Sequence, residues 1–126
     1  MTLPPYAHTL SISVEDGPDG APIYRMPFSD TVLGRPGFLH GGAISGLLEL
    51  AAIGTAMRAI DDDTAVVKPI NMTVSFMRGG TVQDTFASAT IARLGNRVVN
   101  VEAHAWQDDR AKPIASAQLN LLVRRV

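Results

Sequence analysis

At 126 residues the chain has room for one core, and residues 1–126 read as a single domain. Charged residues make up 18% and apolar ones 46%, with a net charge of −1, which excludes an electrostatic pull towards nucleic acid or anionic lipid. Cysteine is absent, which removes disulfides, thiolate nucleophiles and cysteine-based metal sites together.

The start, "MTLPPYAHTLSI", has no basic leader and sets two prolines where a signal peptide would be apolar. The chain is therefore expected to be soluble and cytoplasmic. Thr9 to Val14 alternate with period two, which predicts a strand with Leu10, Ile12 and Val14 on one face. After the turn "EDGPDG", Tyr24, Met26 and Phe28 alternate with Arg25 and Pro27, giving a second strand that Pro27 places at an edge.

The stretch "LGRPGFLHGGAISGLLELAAIGTAMRAI", Leu33 to Ile60, contains the next element. Leu, Ala and Met dominate it and no proline interrupts it from His40 onward, which predicts a helix from about His40 to Ile60. The acidic turn "DDDT" ends it. Ile70, Met72, Val74 and Phe76 then alternate with Asn71, Thr73 and Ser75, and a less regular strand runs from Val82 to Arg93. Two further strands follow, one with Val99, Val101, Ala103 and Ala105 on a common face, the other with Ala115, Ala117, Leu119, Leu121 and Val123.

This order predicts an α+β fold: an antiparallel β-sheet of about six strands, apolar on one face, wrapped around one long central α-helix. A helix apolar nearly all round is buried nearly all round, so the sheet has to curl about it.

One carboxylate, Glu49, sits in the middle of that helix, and three readings compete for it. A membrane span needs about 20 apolar residues, and the stretch roughly qualifies. A charge at its centre would cost about 2.5–3.5 kcal/mol, however, and the strands on either side belong to a soluble domain. A second reading puts Glu49 on a narrow solvated strip with Ser45 and Arg58. The third is functional, and it rests on the residues where the helix opens.

His40, Gly41 and Gly42 stand where free backbone N–H groups and the positive end of the helix dipole collect. Glycine there lets a ligand oxygen approach the amides, which makes a prospective oxyanion site. Glu49 lies about 12 Å further along, at 1.5 Å per residue, so one carbonyl cannot touch both Gly41 and Glu49 of one chain. If both serve one reaction, the carboxylate comes from a second copy, which asks for a homodimer with sites at the interface.

The spacing "HGGAISGLLE" resembles that of the hot-dog-fold acyl-CoA thioesterases, in the branch that includes phenylacetyl-CoA and 4-hydroxybenzoyl-CoA thioesterases. There the helix begins with HGG and carries Asp or Glu nine residues after the histidine, here Glu49. "NMTVSFMRGG" is also similar to the strand that follows the helix in that family, and the order of elements matches along essentially the whole chain. The resemblance implies an acyl-CoA substrate, no cofactor, and a homodimer that assembles further into a tetramer as a dimer of dimers.

Carried over by residue, it implies that the Gly41 amide polarises the thioester carbonyl, helped by His40 and Gly42, and that Glu49 of the partner subunit is general base or nucleophile. Arg78, Asn96 and Arg97 fall where relatives contact coenzyme A, and Phe38, with Met72 or Val74, where they line the acyl pocket. Gly34 stands at a position where many relatives carry Asn or Gln to orient water, and Pro69 where some carry Ser or Thr. Two other functions stay open on that fold: a non-catalytic acyl-thioester-binding module and a hydroxyacyl-thioester dehydratase. His8, His40 and His104 are scattered without a second ligand nearby, so no metal site is expected.

Overall fold

The computed structural model describes residues 3–125. A five-residue helix, α1 (Pro5–Thr9), opens the chain with proline in its first turn, where a missing N–H leaves no intrahelical bond unmade. Strands β1 (Ser13–Asp16) and β2 (Pro22–Met26) form a hairpin, and the loop after it leads to the long helix α2 (Gly41–Ala59). Strands β3 (Val66–Phe76), β4 (Thr85–Leu94), β5 (Val98–Trp106) and β6 (Ala115–Arg124) complete the chain. All six strands lie in one antiparallel sheet in the order β1-β2-β4-β5-β6-β3, with α2 packed on its inner face. This is the hot-dog arrangement that the sequence predicts.

The inner face is graded in side-chain size. Ala87, Ala105 and Ala115 stand in one cross-strand row, and Ala89, Ala103 and Ala117 in the next. Ile91, Val101 and Leu119 follow, then Val99 and Leu121. The alanine rows lie at the Phe76 end of the sheet, where α2 begins with Gly41, Gly42 and Ala43. Small side chains on both partners let the helix start sit close to the strands, while Leu47, Leu48, Leu119 and Leu121, all under 2% exposed, fill the wider part of the core.

Two expectations are corrected near the start of the chain. The strand expected over Thr9–Val14 is split: Thr9 closes α1, Leu10 caps it, and Ser11 takes a left-handed φ of 57° before β1 begins at Ser13. Leu10 and Ile12 still reach the core, but from a turn, because Pro5, following the extended Pro4, starts a helical turn in the preceding backbone. Strand β2 is internal rather than an edge, lying between β1 and β4. Pro27 sits one residue beyond its end, where the ladder asks for no N–H.

The true edges are unequal. β1 has four residues, whereas β3 has eleven and is exposed along most of its length, with Ile70 and Phe76 more than half exposed. The ladder with β6 slips between Pro69 and Asn71, leaving Ile70 as the extra residue of a bulge. On the outer face Asn100 donates to Asn120 and Asn120 to Asn71, so a row of amides ties β5, β6 and β3 together. No helix among the described residues is long and apolar enough to cross a membrane.

Candidate active site

The turn that delivers α2 is fixed by backbone bonds before any side chain acts. Gly34 N–H donates to Phe38 and Phe38 N–H to Arg35, closing a loop in which Gly37 takes a φ of 83°. Leu39 N–H donates to Gly80 and His40 N–H to Val32. The helix start is thereby tied to the β3–β4 connection on one side and to the preceding short turn on the other.

His40 is the N-cap of α2. Its Nδ1 accepts the Gly42 N–H at 2.8 Å, and its carbonyl accepts from Ala43 at 3.0 Å. An accepting Nδ1 leaves the proton of the neutral ring on Nε2. The Gly41 N–H is left over: it has no acceptor among the described residues. One backbone donor at the positive end of a 19-residue helix is therefore free to bind an incoming oxygen.

Two glycines hold this geometry by what they lack. A β-carbon on Gly42 would come within 2.9 Å of His40 Nδ1, displacing the ring that caps the helix. A β-carbon on Gly34 would lie 3.1 Å from the Cα of His40, which is backbone and cannot swing aside. A side chain at position 34 would require the His40 backbone to give way by a few tenths of an ångström. Gly34 acts here as a spacer beneath His40.

Glu49 lies just over two helical turns beyond Gly41, half-buried, with no ion pair or hydrogen bond among the described residues. It shares a strip with Ser45 and Ile53, also half-buried, whereas from Ala43 to Ala56 every other helical residue except Thr55 is buried. The sheet and α1 cover the rest of the helix and leave this strip partly open. The strip of the solvated reading is thus real, but it continues through Ile53 rather than Arg58, and it is only half accessible.

His40, Gly41, Gly42, Gly34 and Phe38 gather at one end of the sheet. The Phe38 ring rests against Gly79, and Phe76 lies over Gly41. Arg78 is beside them, its N–H bonded to Ile114 and its side chain exposed. Sequence reasoning missed Arg35, whose guanidinium stacks on the Phe38 ring at 4.3 Å and places a second cation at the mouth. The i, i+3 spacing in "RPGF" was the available signal.

Asn96 and Arg97 are not part of this group within one chain. They occupy the β4–β5 turn, where Arg97 accepts from Val123 N–H, at the far end of the nine-residue β5. That is roughly 27 Å away at 3.3 Å per residue. Met72 and Val74 line the inner side of β3 and are half-buried. Among the described residues no three His, Asp or Glu side chains are grouped to hold a metal ion.

The chain resembles several solved structures. A Bacillus halodurans protein crystallised with CoA superposes with a TM-score of 0.87 at 21% identity, covering 96% of this chain and 79% of that one. A putative thioesterase from Ralstonia eutropha, described as phenylacetic acid degradation-related, gives 0.85 at 22% identity, with 97% and 92% covered. A mutant thioesterase from Pseudomonas aeruginosa gives 0.86 at 23% identity, with 96% and 86% covered. No curated protein matches the chain in sequence. The sequence model of the thioesterase superfamily matches residues 36–114, a stretch that includes the His40 cap, the Gly41 amide and Glu49. The chain belongs to the thioesterase superfamily.

Proposed function

We propose that the protein is an acyl-CoA thioesterase that works as a homodimer, with each site built from the HGG turn of one protomer and Glu49 of the partner subunit. The observation that carries this reading is the pairing of an unsatisfied Gly41 amide with a half-buried, unpaired carboxylate about 12 Å further along the same helix. Neither group has a hydrogen-bond or ion-pair partner among the described residues, and the distance keeps them from sharing a carbonyl within one chain.

In the reaction the thioester carbonyl oxygen accepts from the Gly41 N–H, with the His40 ring holding the neighbouring amide in line. Glu49 of the partner subunit takes a proton from water as the water oxygen bonds to the carbonyl carbon. The negative charge that builds on the oxygen is held by the amide and the helix dipole. Collapse breaks the C–S bond, and the proton held by the carboxylate passes to the departing thiolate. Attack by Glu49 itself, followed by hydrolysis of the anhydride, uses the same groups.

The long exposed edge of β3 supports the dimer, since an unpaired strand of this length invites pairing with a second copy. Antiparallel pairing there would set the Val66 end of one β3 beside the Phe76 end of the other. The hairpin carrying Asn96 and Arg97 would then approach the partner's HGG turn, where Arg78 and Arg35 already offer positive charge for coenzyme A phosphates. A second reading, a binding module without turnover, is favoured by Gly34, which supplies no side chain to orient water.

The test is hydrolysis of a panel of acyl-CoAs followed with a thiol-detecting dye. Glu49→Gln should lower turnover on the order of a thousandfold while binding persists. Hydrolysis at the wild-type rate in that variant would sink the assignment. Binding without thiol release by the unmodified protein would establish the module instead.

A further inference from the structure

At the end of α2 opposite the HGG turn lies a cleft of about 680 Å³, bounded by β1 and β2 on one side and β3 on the other. Its walls are Val14, Tyr24, Met57, Ile60 and Val67, with Arg58 at the rim. The volume is within the range of pockets that take small ligands.

Three observations tie this cleft to the candidate site. The open strip of α2 runs from Ser45 through Glu49 and Ile53 in steps of four residues, and the next step is Met57, which is exposed and lines the cleft. Alongside the strip, Val67, Met72 and Val74 of β3 turn apolar side chains inward without being fully covered. The path from Glu49 to Met57 and Ile60 is about 12–16 Å long at the helical rise. With carbon–carbon bonds of about 1.5 Å, a zigzag chain advances about 1.25 Å per bond, so an extended acyl chain of roughly ten to fourteen carbons spans it.

Charge narrows the occupant further. Arg58 is only 3.9 Å from Asp16, and Asp62 and Asp63 also stand at the cleft, with Asp62 bound by Thr64 and Arg125. Carboxylates outnumber the cations here, so an acid group on the ligand's far end would be repelled. Tyr24 is 1% exposed, and burial raises its phenol above the ordinary value, so it presents a neutral wall.

We propose that this cleft receives the far end of the acyl group, making the preferred substrate the thioester of an uncharged, straight-chain acid of medium length. This rests on the thioesterase reading for its chemistry but makes a separate claim about where the chain goes. The carbonyl stays at Glu49, the methylenes follow Ile53 and the inner side of β3, and the terminus ends between Met57 and Val14.

The test is a chain-length series from acetyl- to palmitoyl-CoA with wild type, Met57→Trp and Val14→Trp, which fill the cleft from opposite walls. Both positions are about 40% exposed, so the larger ring does not burden the core. Wild type should peak near decanoyl- or dodecanoyl-CoA. Each variant should lose about tenfold or more in kcat/KM on those substrates and stay within roughly twofold on butyryl-CoA. Equal losses at all lengths, a flat wild-type profile, or a preference for an aromatic acyl-CoA would overturn the proposal.

Equilibrium binding of decanoyl- and butyryl-CoA is measured on the same proteins. If wild type hydrolyses nothing yet binds the decanoyl thioester more tightly, and Met57→Trp removes that preference, the cleft assignment stands and the hydrolase reading falls. If hydrolysis occurs with no such preference in either assay, the reverse holds.

Discussion

The two ends of α2 make opposite use of the same helix. At its start the working surface is backbone: a free amide, a capping ring and glycines whose value is the space they leave. At its finish the surface is made of side chains, with Met57, Arg58 and Ile60 meeting Val14, Tyr24 and Val67 around a cleft. The first end is also braced. Gln107, 9% exposed, accepts from Thr81 N–H and donates to the Thr81 carbonyl and the Thr85 hydroxyl, fixing the turn whose Gly80 carbonyl holds Leu39. The second end has the exposed Arg58–Asp16 pair at 3.9 Å and the Asp62 turn, whose half-buried carboxylate accepts from Thr64 and Arg125. An end that aims a hydrogen bond at a reacting atom needs rigidity, whereas one that shelters a chain terminus needs only shape.

After Glu49→Gln, the sharpest break of this contrast is Gly42→Ala. The new methyl would push the His40 ring from its bond to the amide, with a loss of about 1 kcal/mol for an N-cap. Replacing glycine inside a helix returns up to about 1 kcal/mol, so urea denaturation should find stability nearly unchanged. Turnover should nevertheless fall roughly ten- to a hundredfold, because the neighbouring Gly41 amide is no longer held in line. A parallel loss of stability and activity would mean that the cap is merely structural.

Gln107→Leu removes the brace and leaves the buried Thr85 hydroxyl without its partner. A destabilisation of about 2 kcal/mol is expected, read from the midpoint of urea unfolding. Hydrogen exchange at Leu39, whose N–H is held by Gly80, should quicken before that of β5 and β6. Exchange that quickens uniformly would show that Gln107 supports the whole fold and not the HGG end.

The contrast also explains which parts were legible in the sequence. The HGG end is local: cap, glycines and carboxylate fall within ten consecutive residues, and a helix without proline from His40 onward gives its limits to within one residue. Strands β5 and β6 were legible because each alternates over a long run against one buried face. The cleft was not, because its walls come from β1, β2, α2 and β3, which only the curl of the sheet brings together. Leu10, Ile12 and Val14 misled for a related reason. Their alternation is genuine, but Ser11 reverses the backbone between the first two, and Val14 ends on the exposed edge.

The smallest effect concerns the chain that leaves β2 for the HGG loop. Asp84 accepts from Phe28 N–H at 2.9 Å and from the Arg25 guanidinium, and these two contacts, the backbone bond first, hold its carboxyl below the ordinary range. A carboxylate whose folded value is depressed stabilises the protein above its unfolded value of about 3.9, and that contribution is lost as pH falls through the folded value. Wild type should therefore lose stability below about pH 4 at this site, whereas Asp84→Asn, which can still accept from Phe28, should be less stable at neutral pH and flatter in acid. Because a third of the side chain is exposed, water screens the interaction and the difference should stay under about 1 kcal/mol. Urea midpoints of the two proteins from pH 7 down to pH 3 measure it. Curves that converge as pH falls support the charge, and curves that remain parallel would show that only the bond to Phe28 matters. In that second case the HGG end would owe its rigidity to neutral hydrogen bonds alone.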